Sequence, residues 1–320
     1  MATIAVIGSG AVGSYYGAML ARAGHDVRFL MRRDLDRVRA NGLDIRSYLG
    51  DFRVDPCAAF GTSNEIGVVD WVLCSLKATA LDRAEPLIAP CVGPETRIVA
   101  LMNGLGVEDR FAAWFEPERV FGGMAFVGIN RDETGVIHHL AAGRVSIGHY
   151  HDAAAETARL HELLFSAGIE STLSPNLLYA RWEKLCWNIP FNGLSVAAGG
   201  LGTRAIMEDP PLRAMAERAM REVVAAANAD LEAQHGAARL DPDAVVAQLF
   251  PATDALADYK TSMVIDYLLG RELEVEAILG EPCRRASALG VPTPTIDALY
   301  ALVRAADLRA RNLMPTARPD

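Results

Sequence analysis

The stretch TIAVIGSGAVG, residues 3–13, decides the fold that we predict for this chain. Its first part, TIAVIG (3–8), is a short apolar run rich in β-branched residues, which is typical of a buried strand. The glycine-rich GSGAVG (8–13) follows at once, and residues 11–23 then have the pattern of a helix that Gly24 ends. A strand, a glycine-rich turn and a helix in this order predict a dinucleotide-binding unit.

The glycines of this turn meet three different requirements. Gly8 permits the tight turn, Gly10 lets the backbone approach a pyrophosphate, and Gly13 lets the helix pack close to the strand. Free N–H groups and the helix dipole favour a negative charge at the start of the helix. The predicted pyrophosphate contacts are therefore Gly8, Ser9, Gly10, Ala11, Val12 and Gly13.

Strands and helices continue to alternate along the first half of the chain. Further strands are predicted at 26–31, 68–76, 96–102 and 119–129, a helix at 81–89, and a hairpin at 136–150. Such alternation implies a parallel sheet covered on both faces. We expect a Rossmann-type, doubly wound α/β domain over residues 1–172.

The sequence pattern of the second half of the chain is typical of helices. Helices are predicted at 176–198, 209–235, 241–249, 258–288 and 294–311. Ligands of open α/β sheets bind at the carboxyl ends of the strands. We therefore expect an all-helical C-terminal domain over residues 173–320 that closes a cleft at that edge.

Composition narrows the classes of function. The chain has 320 residues, of which 51% are hydrophobic and 22% charged, enough for two domains with filled cores. Its net charge of −9 argues against nucleic acid as a partner. Five scattered cysteines without a CxxC pair suit reduced thiols better than disulfides or zinc, so no metal site is predicted. Without a signal peptide or membrane-spanning run, we predict a cytoplasmic protein with no membrane partner.

The end of the second strand bears on the choice of cofactor. NAD sites usually carry an acid there to bind the ribose 2′-hydroxyl. FLMRRD (29–34) instead brings Arg32 and Arg33 to that place, and a guanidinium suits a 2′-phosphate. We predict NADP(H) with Arg32 as a contact. The alternative is that both arginines are solvated, or that Asp34 binds the ribose.

Two further strands end on polar residues at the predicted ligand edge. Lys77 follows VLCSL, and Asn103 with Gly104 follows IVALM. We interpret Lys77 and Asn103 as candidate ligands. An exposed lysine at a helix start and a common turn are the alternatives.

In the helical half, RWEKLCWNIPFNGLS (181–195) places Lys184, Asn188 and Asn192 at a spacing of four. Such positions share one helix face, and apolar neighbours flank this polar stripe. A lysine that is partly buried there has a lowered pKa and can donate a proton, and the amides suit hydroxyl or carboxylate groups. Pro190 predicts a bend. The alternative is a solvated surface stripe.

A second polar set lies in 258–280. Ser262, Asp266 and Glu274 share a face if this segment is one helix, although Gly270 is a poor interior helix residue. Glu274 is either part of a charged helix start or a carboxylate opposite Lys184.

Together these segments resemble the ketopantoate reductase (2-dehydropantoate 2-reductase) family over nearly the whole chain. The resemblance rests on GSGAVG (8–13), LK (76–77), MNGLG (102–106), RWEKLCWNIPFNGLS (181–195), and YKTSM (259–263) followed by RELEVEAILG (271–280). It implies an NADPH-dependent reduction of a 2-oxo acid to a 2-hydroxy acid, in the pathway towards pantothenate and coenzyme A.

The resemblance also implies roles for individual residues. Lys184 would be the proton donor, and Asn188 and Asn192 would bind substrate. The other implied contacts are Asn103 between cofactor and substrate, Ser262 on the substrate, Glu274 in the active site on cofactor or substrate, and Arg32 and Lys77 on the phosphate and ribose side of NADPH. The implied partner is a small 2-oxo acid, and a homodimer is left open.

The chain departs from the family pattern at two positions. Gly193 stands where many members have proline, and Gly202 stands where some have a further substrate asparagine. The reaction type is therefore better supported than the substrate. Two alternatives stay open, a 3-hydroxyacid-type dehydrogenase and an NADPH-binding redox sensor without enzymatic activity.

Overall fold

The first compact unit of the structure is built on a ten-stranded sheet. The computed structural model describes residues 1–256 and 258–313, and this unit comprises residues 1–103 and 107–177. The strands are β1 (Thr3–Ile7), β2 (Asp26–Leu30), β3 (Leu43–Ser47), β4 (Phe52–Val54), β5 (Ala58–Phe60), β6 (Trp71–Cys74), β7 (Arg97–Ala100), β8 (Val120–Arg131), β9 (Ile137–His149) and β10 (Ser171–Leu173).

Six of these strands form a parallel, doubly wound arrangement. Their order is β5-β2-β1-β6-β7-β8, and each neighbouring pair is parallel. Numbered along the chain, this is the order 3-2-1-4-5-6 that is typical of dinucleotide-binding sheets. The strand order reverses between β1 and β6, and ligands of such folds bind beside the loops that follow these two strands. The predicted Rossmann-type fold is confirmed.

Successive residues of β1 lie alternately in two different core clusters, which shows that both faces of the sheet are covered. Ile4 and Val6 lie in one core cluster, whereas Ala5 and Ile7 lie in another. Because successive strand residues point to opposite faces, helices must cover both sides. These helices are α1 (Ala11–Arg22), α2 (Leu35–Asn41), α3 (Ser63–Ile66), α4 (Ala84–Ile88), α5 (Val107–Phe115) and α6 (Ala154–Ser166), with 3₁₀ turns at Ala78–Arg83, Ala89–Cys91 and Pro117–Arg119.

The hairpin predicted at 136–150 is wrong. This segment is almost entirely the single strand β9, which pairs antiparallel with β8 from Phe121 opposite His149 to Arg131 opposite Ile137. The residues that suggested a turn surround Gly143, which the register leaves as an extra residue between two paired positions. A bulge of this kind interrupts the alternation without reversing the chain.

The second compact unit comprises residues 104–106 and the described residues from Leu178 onward. Its helices are α7 (Leu177–Ala197), α8 (Thr203–Glu208), α9 (Pro210–Ala233), α10 (Pro242–Asp254), α11 (Ser262–Leu268), α12 (Glu281–Ala288) and α13 (Pro294–Ala310), with a π-helical turn at Glu276–Gly280. They share one core cluster around Trp182, Phe191 and Leu299. The expected all-helical second half is confirmed.

One helix predicted in this half, 258–288, is wrong as a continuous element. It consists of a non-helical segment at 258–261, α11, a second non-helical segment at 269–274, the π-helical turn and α12. Gly270 has a φ of +60° and ends α11, after which the Leu273 N–H donates to the Asp307 carboxylate of α13. Ser262 and Glu274 therefore do not share a helix face.

The first unit continues through β10 to Leu177, past the expected domain boundary at residue 172, and that boundary stays a prediction. Positions 257 and 314–320 of the predicted C-terminal domain lie outside the described residues. In the described ranges, no helix combines the length and apolar character needed to cross a bilayer.

Candidate active site

The glycine turn after β1 lies against the loop that follows β6. Gly8 has a φ of +98°, and a Cβ there would lie 2.5 Å from the Leu76 N atom. The Ser75 hydroxyl donates to the Gly8 carbonyl at 3.0 Å. The two loops on either side of the strand-order reversal are therefore held in direct contact.

The start of α1 has the features of an anion site. Gly10 occupies the N-cap position, and a Cβ built on it would meet no atom of the described residues within 4 Å. The first turn of α1 carries no acidic residue. Gly13 packs so tightly that a Cβ would lie 2.1 Å from Ser75 Oγ. Open space before Gly10 and free N–H groups at the helix start fit a pyrophosphate.

The other residues of the turn also lie at this helix start. The Ser9 hydroxyl donates to the Leu30 carbonyl of β2 at 2.8 Å, and the Ser14 hydroxyl donates to the Ser9 carbonyl at 3.1 Å. Ala11 and Val12 open α1 and are partly exposed. Side-chain bonds at Ser9 and Ser14 thus fix the turn and leave its open side to the backbone.

The segment after β2 is basic and exposed. Arg32 and Arg33 are both exposed, and neither has an ion-pair partner among the described residues. The next residue, Asp34, pairs with Arg131 at 2.5 Å between Oδ2 and Nη2. Arg131 also donates to the Ser9 carbonyl.

Sequence reasoning missed Arg131. It is the last residue of β8, which we predicted to end at Ile129. An arginine within two residues of a predicted parallel strand end was the signal that could have identified it.

Lys77 and Asn103 follow neighbouring parallel strands. Lys77 is exposed between β6 and the 3₁₀ turn at 78–83, and Asn103 is partly exposed beyond β7. Parallel strands end at the same edge of a sheet, so both residues lie at the edge that carries the glycine turn. The roles of both residues as ligands stay predictions.

In the second unit, α7 carries the polar stripe. It runs from Leu177 to Ala197 without interruption at Pro190. The indole N–H of Trp182 donates to the Asp230 carboxylate of α9 at 2.9 Å, which fixes the rotation of α7 about its axis. Lys184 is partly buried on this helix, and Asn188 and Asn192 are buried.

Lys184 has an unusual electrostatic environment. The pKa of Lys184 is lowered to about 7, mainly by burial and also by the neighbouring charge of Arg181. The carboxylate of Glu274 acts in the opposite direction. Arg181 is 3% exposed and one turn before Lys184, a spacing that was visible in the sequence but that we did not use. An amine with a pKa near 7 can both donate and accept a proton around neutral pH.

Three buried side-chain oxygens belong to residues of α7 and α8. The side-chain oxygens of Asn192, Ser195 and Thr203 are buried and have no hydrogen-bond partner among the described residues. Buried polar atoms are normally paired, so such orphans indicate a missing water or ligand. Only Asn192 was identified from the sequence.

Ser262 and Glu274 occupy different local environments. Ser262 is the exposed first residue of α11, after Thr261, whose hydroxyl accepts from the Val264 N–H at 3.3 Å. Glu274 is partly buried and precedes the π-helical turn, where its carbonyl accepts from the Ile278 N–H at 3.1 Å. The structure brings Glu274 into electrostatic interaction with Lys184, and the role of Ser262 stays a prediction.

Two family models match the chain. Ketopantoate reductase PanE/ApbA matches residues 4–152, and Ketopantoate reductase PanE/ApbA C terminal matches residues 176–307. A 2-dehydropantoate 2-reductase of Nostoc sp. is 36% identical over 313 residues, which cover 96% of each chain.

Solved structures agree with this assignment. The crystal structure of a 2-dehydropantoate 2-reductase from Geobacter metallireducens GS-15 has a TM-score of 0.91 at 39% identity, covering 95% of this chain and 99% of that one. The ternary structure of D-mandelate dehydrogenase with NADH and anilino(oxo)acetate has a TM-score of 0.87, covering 96% and 99% of the two chains. At 23% identity, the second likeness concerns the fold alone.

The family models match both halves of the chain, and the relative from Nostoc sp. covers 96% of it. A sensor without enzymatic activity is therefore the wrong interpretation. The chain belongs to the ketopantoate reductase family PanE/ApbA and is an oxidoreductase.

Proposed function

We propose that this chain reduces 2-dehydropantoate, or a closely related 2-oxo acid, to the 2-hydroxy acid with NADPH, in the pathway to pantothenate and coenzyme A. The observation that carries the proposal is the partly buried Lys184, whose pKa is lowered to about 7, mainly by burial. An amine of this kind can protonate the oxygen of a carbonyl group that accepts a hydride. Family membership supports the substrate class.

The first unit holds the cofactor in this proposal. Residues 8–13 bind the pyrophosphate through backbone N–H groups, Arg32 binds the 2′-phosphate, and Lys77 binds the phosphate and ribose side. When bound, NADPH supplies the hydride. The open space before Gly10 and the exposed guanidinium of Arg32 support this assignment.

The second unit supplies the proton and orients the substrate. Lys184 donates a proton to the nascent alkoxide, and Glu274 stabilises its ammonium form. Asn188 and Asn192 bind the polar groups of the substrate, and the unpartnered Asn192 oxygen is an acceptor for a hydroxyl. Ser262 and Asn103 complete the proposed contacts, with Asn103 between cofactor and substrate.

A substrate panel tests the proposal. The purified protein is mixed with NADPH and, separately, ketopantoate, pyruvate, oxaloacetate and branched 2-oxo acids, and the loss of reduced-nicotinamide absorbance is followed. We expect the highest kcat/KM with ketopantoate or a branched 2-oxo acid. Oxidation of 3-hydroxyacids with NADP⁺, without turnover of any 2-oxo acid, would establish the 3-hydroxyacid-type alternative instead.

We also propose that the chain works in the cytoplasm as a homodimer. The five cysteines are all free in the structure, and four of them are buried, which suits a reducing compartment. Light scattering on the eluting protein tests the assembly, since a monomer mass at working concentration contradicts the dimer.

A further inference from the structure

Arg131 joins three segments at the edge of the sheet where the glycine turn lies. It ends β8, donates to the carbonyl of Ser9 in the turn, and pairs with Asp34 just beyond β2. Its side chain is 18% exposed and that of Asp34 is 30% exposed. The pair is therefore partly shielded from solvent, where an ion pair holds its geometry better than on an open surface.

The ion pair with Arg131 keeps the Asp34 carboxylate from two interactions that are common for an acid at such a position, a helix cap and a ribose contact. Asp34 occupies the N-cap position of α2, yet among the described residues its side chain makes no capping hydrogen bond. It also stands in the part of the sequence where an acid binds the ribose 2′-hydroxyl in NAD sites. Its carboxylate is turned to Arg131 instead, at 2.5 Å.

Two further arginines lie near Arg131 at this part of the sheet edge. Burial lowers the pKa of Arg131, the charges of Arg37 and Arg33 lower it further, and Asp34 and Asp132 oppose these effects. The guanidinium of Arg37 is held by the Gly135 carbonyl at 3.1 Å. A carboxylate released into this region would neutralise the positive charge that a 2′-phosphate needs, and would accept a hydrogen bond from a 2′-hydroxyl.

We propose that Arg131 is a positioning residue that sets the preference for NADPH over NADH by holding the carboxylate of Asp34 away from the ribose 2′ position. The inference rests on the proposed function, in which NADPH is the cofactor and Arg32 meets its 2′-phosphate. Arg131 itself need not touch the cofactor.

The test uses dissociation constants rather than turnover. NADPH and NADH are titrated by fluorescence against the wild type, Arg131→Gln, Arg131→Met, Asp34→Asn and the double variant Arg131→Gln/Asp34→Asn. Arg131→Met keeps an aliphatic chain in the partly buried position, so that a folded variant without the guanidinium is available. Arg144→Gln is the matched control, because it removes an exposed arginine from the neighbouring strand β9.

We expect the ratio Kd(NADH)/Kd(NADPH) to fall about tenfold in Arg131→Gln and Arg131→Met, the size of coupling that contacting charges show. The double variant should recover most of the ratio, because the released carboxylate is gone. Asp34→Asn alone should change the ratio less than about twofold, since its carboxylate is already held away. Arg144→Gln should leave the ratio unchanged.

A merely structural role would give a different result. Loss of the hydrogen bond from Arg131 to the Ser9 carbonyl would loosen the glycine turn and weaken the binding of both dinucleotides. Both dissociation constants would then rise, and their ratio would be unchanged. That outcome, or a large change in Asp34→Asn alone, overturns the inference and leaves the proposed function standing. A wild type without preference for NADPH overturns the cofactor assignment, and the inference with it.

Discussion

The amine of Lys184 has charged neighbours that act in opposite directions, and these give its proposed role a pH signature. Below the pKa of about 7 the amine is an ammonium and can donate a proton; above it the proton is lost. The kcat for carbonyl reduction should therefore fall as pH rises through about 7, and kcat for the reverse oxidation should rise. Both profiles are measured at saturating substrate; a flat reduction profile across neutral pH contradicts the assignment.

Two variants should move this profile in opposite directions. Glu274 raises the pKa of Lys184, so Glu274→Gln should shift the inflection to lower pH. Arg181 lowers the pKa, so Arg181→Gln should shift it to higher pH. The measurement is kcat against pH for the two variants beside the wild type. Shifts of the same sign would mean that at least one of the two charges does not act through Lys184.

Removing the amine separates catalysis from cofactor binding. Lys184→Ala should lower kcat by about 10²–10⁴, the contribution of a positioned general acid. The Kd for NADPH should stay within about twofold, because the proposed cofactor contacts lie on the other unit. Arg218→Ala, which removes an exposed cation from α9, is the control and should keep its activity. Wild-type turnover in Lys184→Ala would exclude the lysine as proton donor.

The residues that sequence reasoning found and missed differ in one physical respect. Lys184, Asn188 and Asn192 are polar groups at helical spacing among apolar neighbours, and such a pattern is visible in one segment. The pairing of Arg131 with Asp34 joins positions 97 residues apart (131 − 34). Only the order and direction of the strands bring them together, and neither can be predicted from the sequence around one residue.

At the scale of elements, the glycine turn places the sharpest steric demand on the chain. Gly8→Ala would put a Cβ 2.5 Å from a backbone N atom at a φ of +98°. We expect the free energy of unfolding to fall by about 3 kcal/mol. The two causes are backbone strain at a positive φ and a clash with a backbone atom, which cannot move aside as a flexible side chain can. NADPH binding should weaken strongly as the turn opens. Chemical denaturation and NADPH titration measure the two effects.

Gly24→Ala is the matched control for this variant. Gly24 also has a positive φ, +91°, but a Cβ there would lie more than 4 Å from every atom in the part of the chain that the structure describes. It should therefore cost only the backbone strain, about 1 kcal/mol, and should leave NADPH binding intact. Equal effects of the two alanines on NADPH binding would mean that contact with the β6 loop is unimportant.

Helices and strands could be predicted from the sequence where the local pattern was compatible with only one type of secondary structure. β1, the turn and α1 follow from an apolar run, glycines and helical periodicity that agree with one another. The helix predicted at 258–288 failed because its periodicity crosses Gly270, and a tertiary bond from the Leu273 N–H to Asp307 stabilises the break. The hairpin at 136–150 failed because a bulge at Gly143 produces the same local signal as a turn.

At the scale of the whole molecule, each compact unit has its own core. The first unit buries both faces of its sheet in two clusters, and the second has a single helical cluster. A ligand stabilises the regions whose native structure it requires, and regions with a separate core open independently of it. The stabilisation that NADPH binding causes should therefore be larger in the first unit than in the second.

Hydrogen exchange can detect this distribution. NADPH should slow amide exchange at residues 8–13 and at 32–34, while exchange in α9, inside the separate helical cluster, should change little. NADH at equal saturation should protect residues 8–13 to the same extent but 32–34 much less, because it lacks the 2′-phosphate that Arg32 is proposed to bind. Equal protection at 32–34 by both dinucleotides would reject the phosphate assignment, and strong protection of α9 would show that the two cores respond as one.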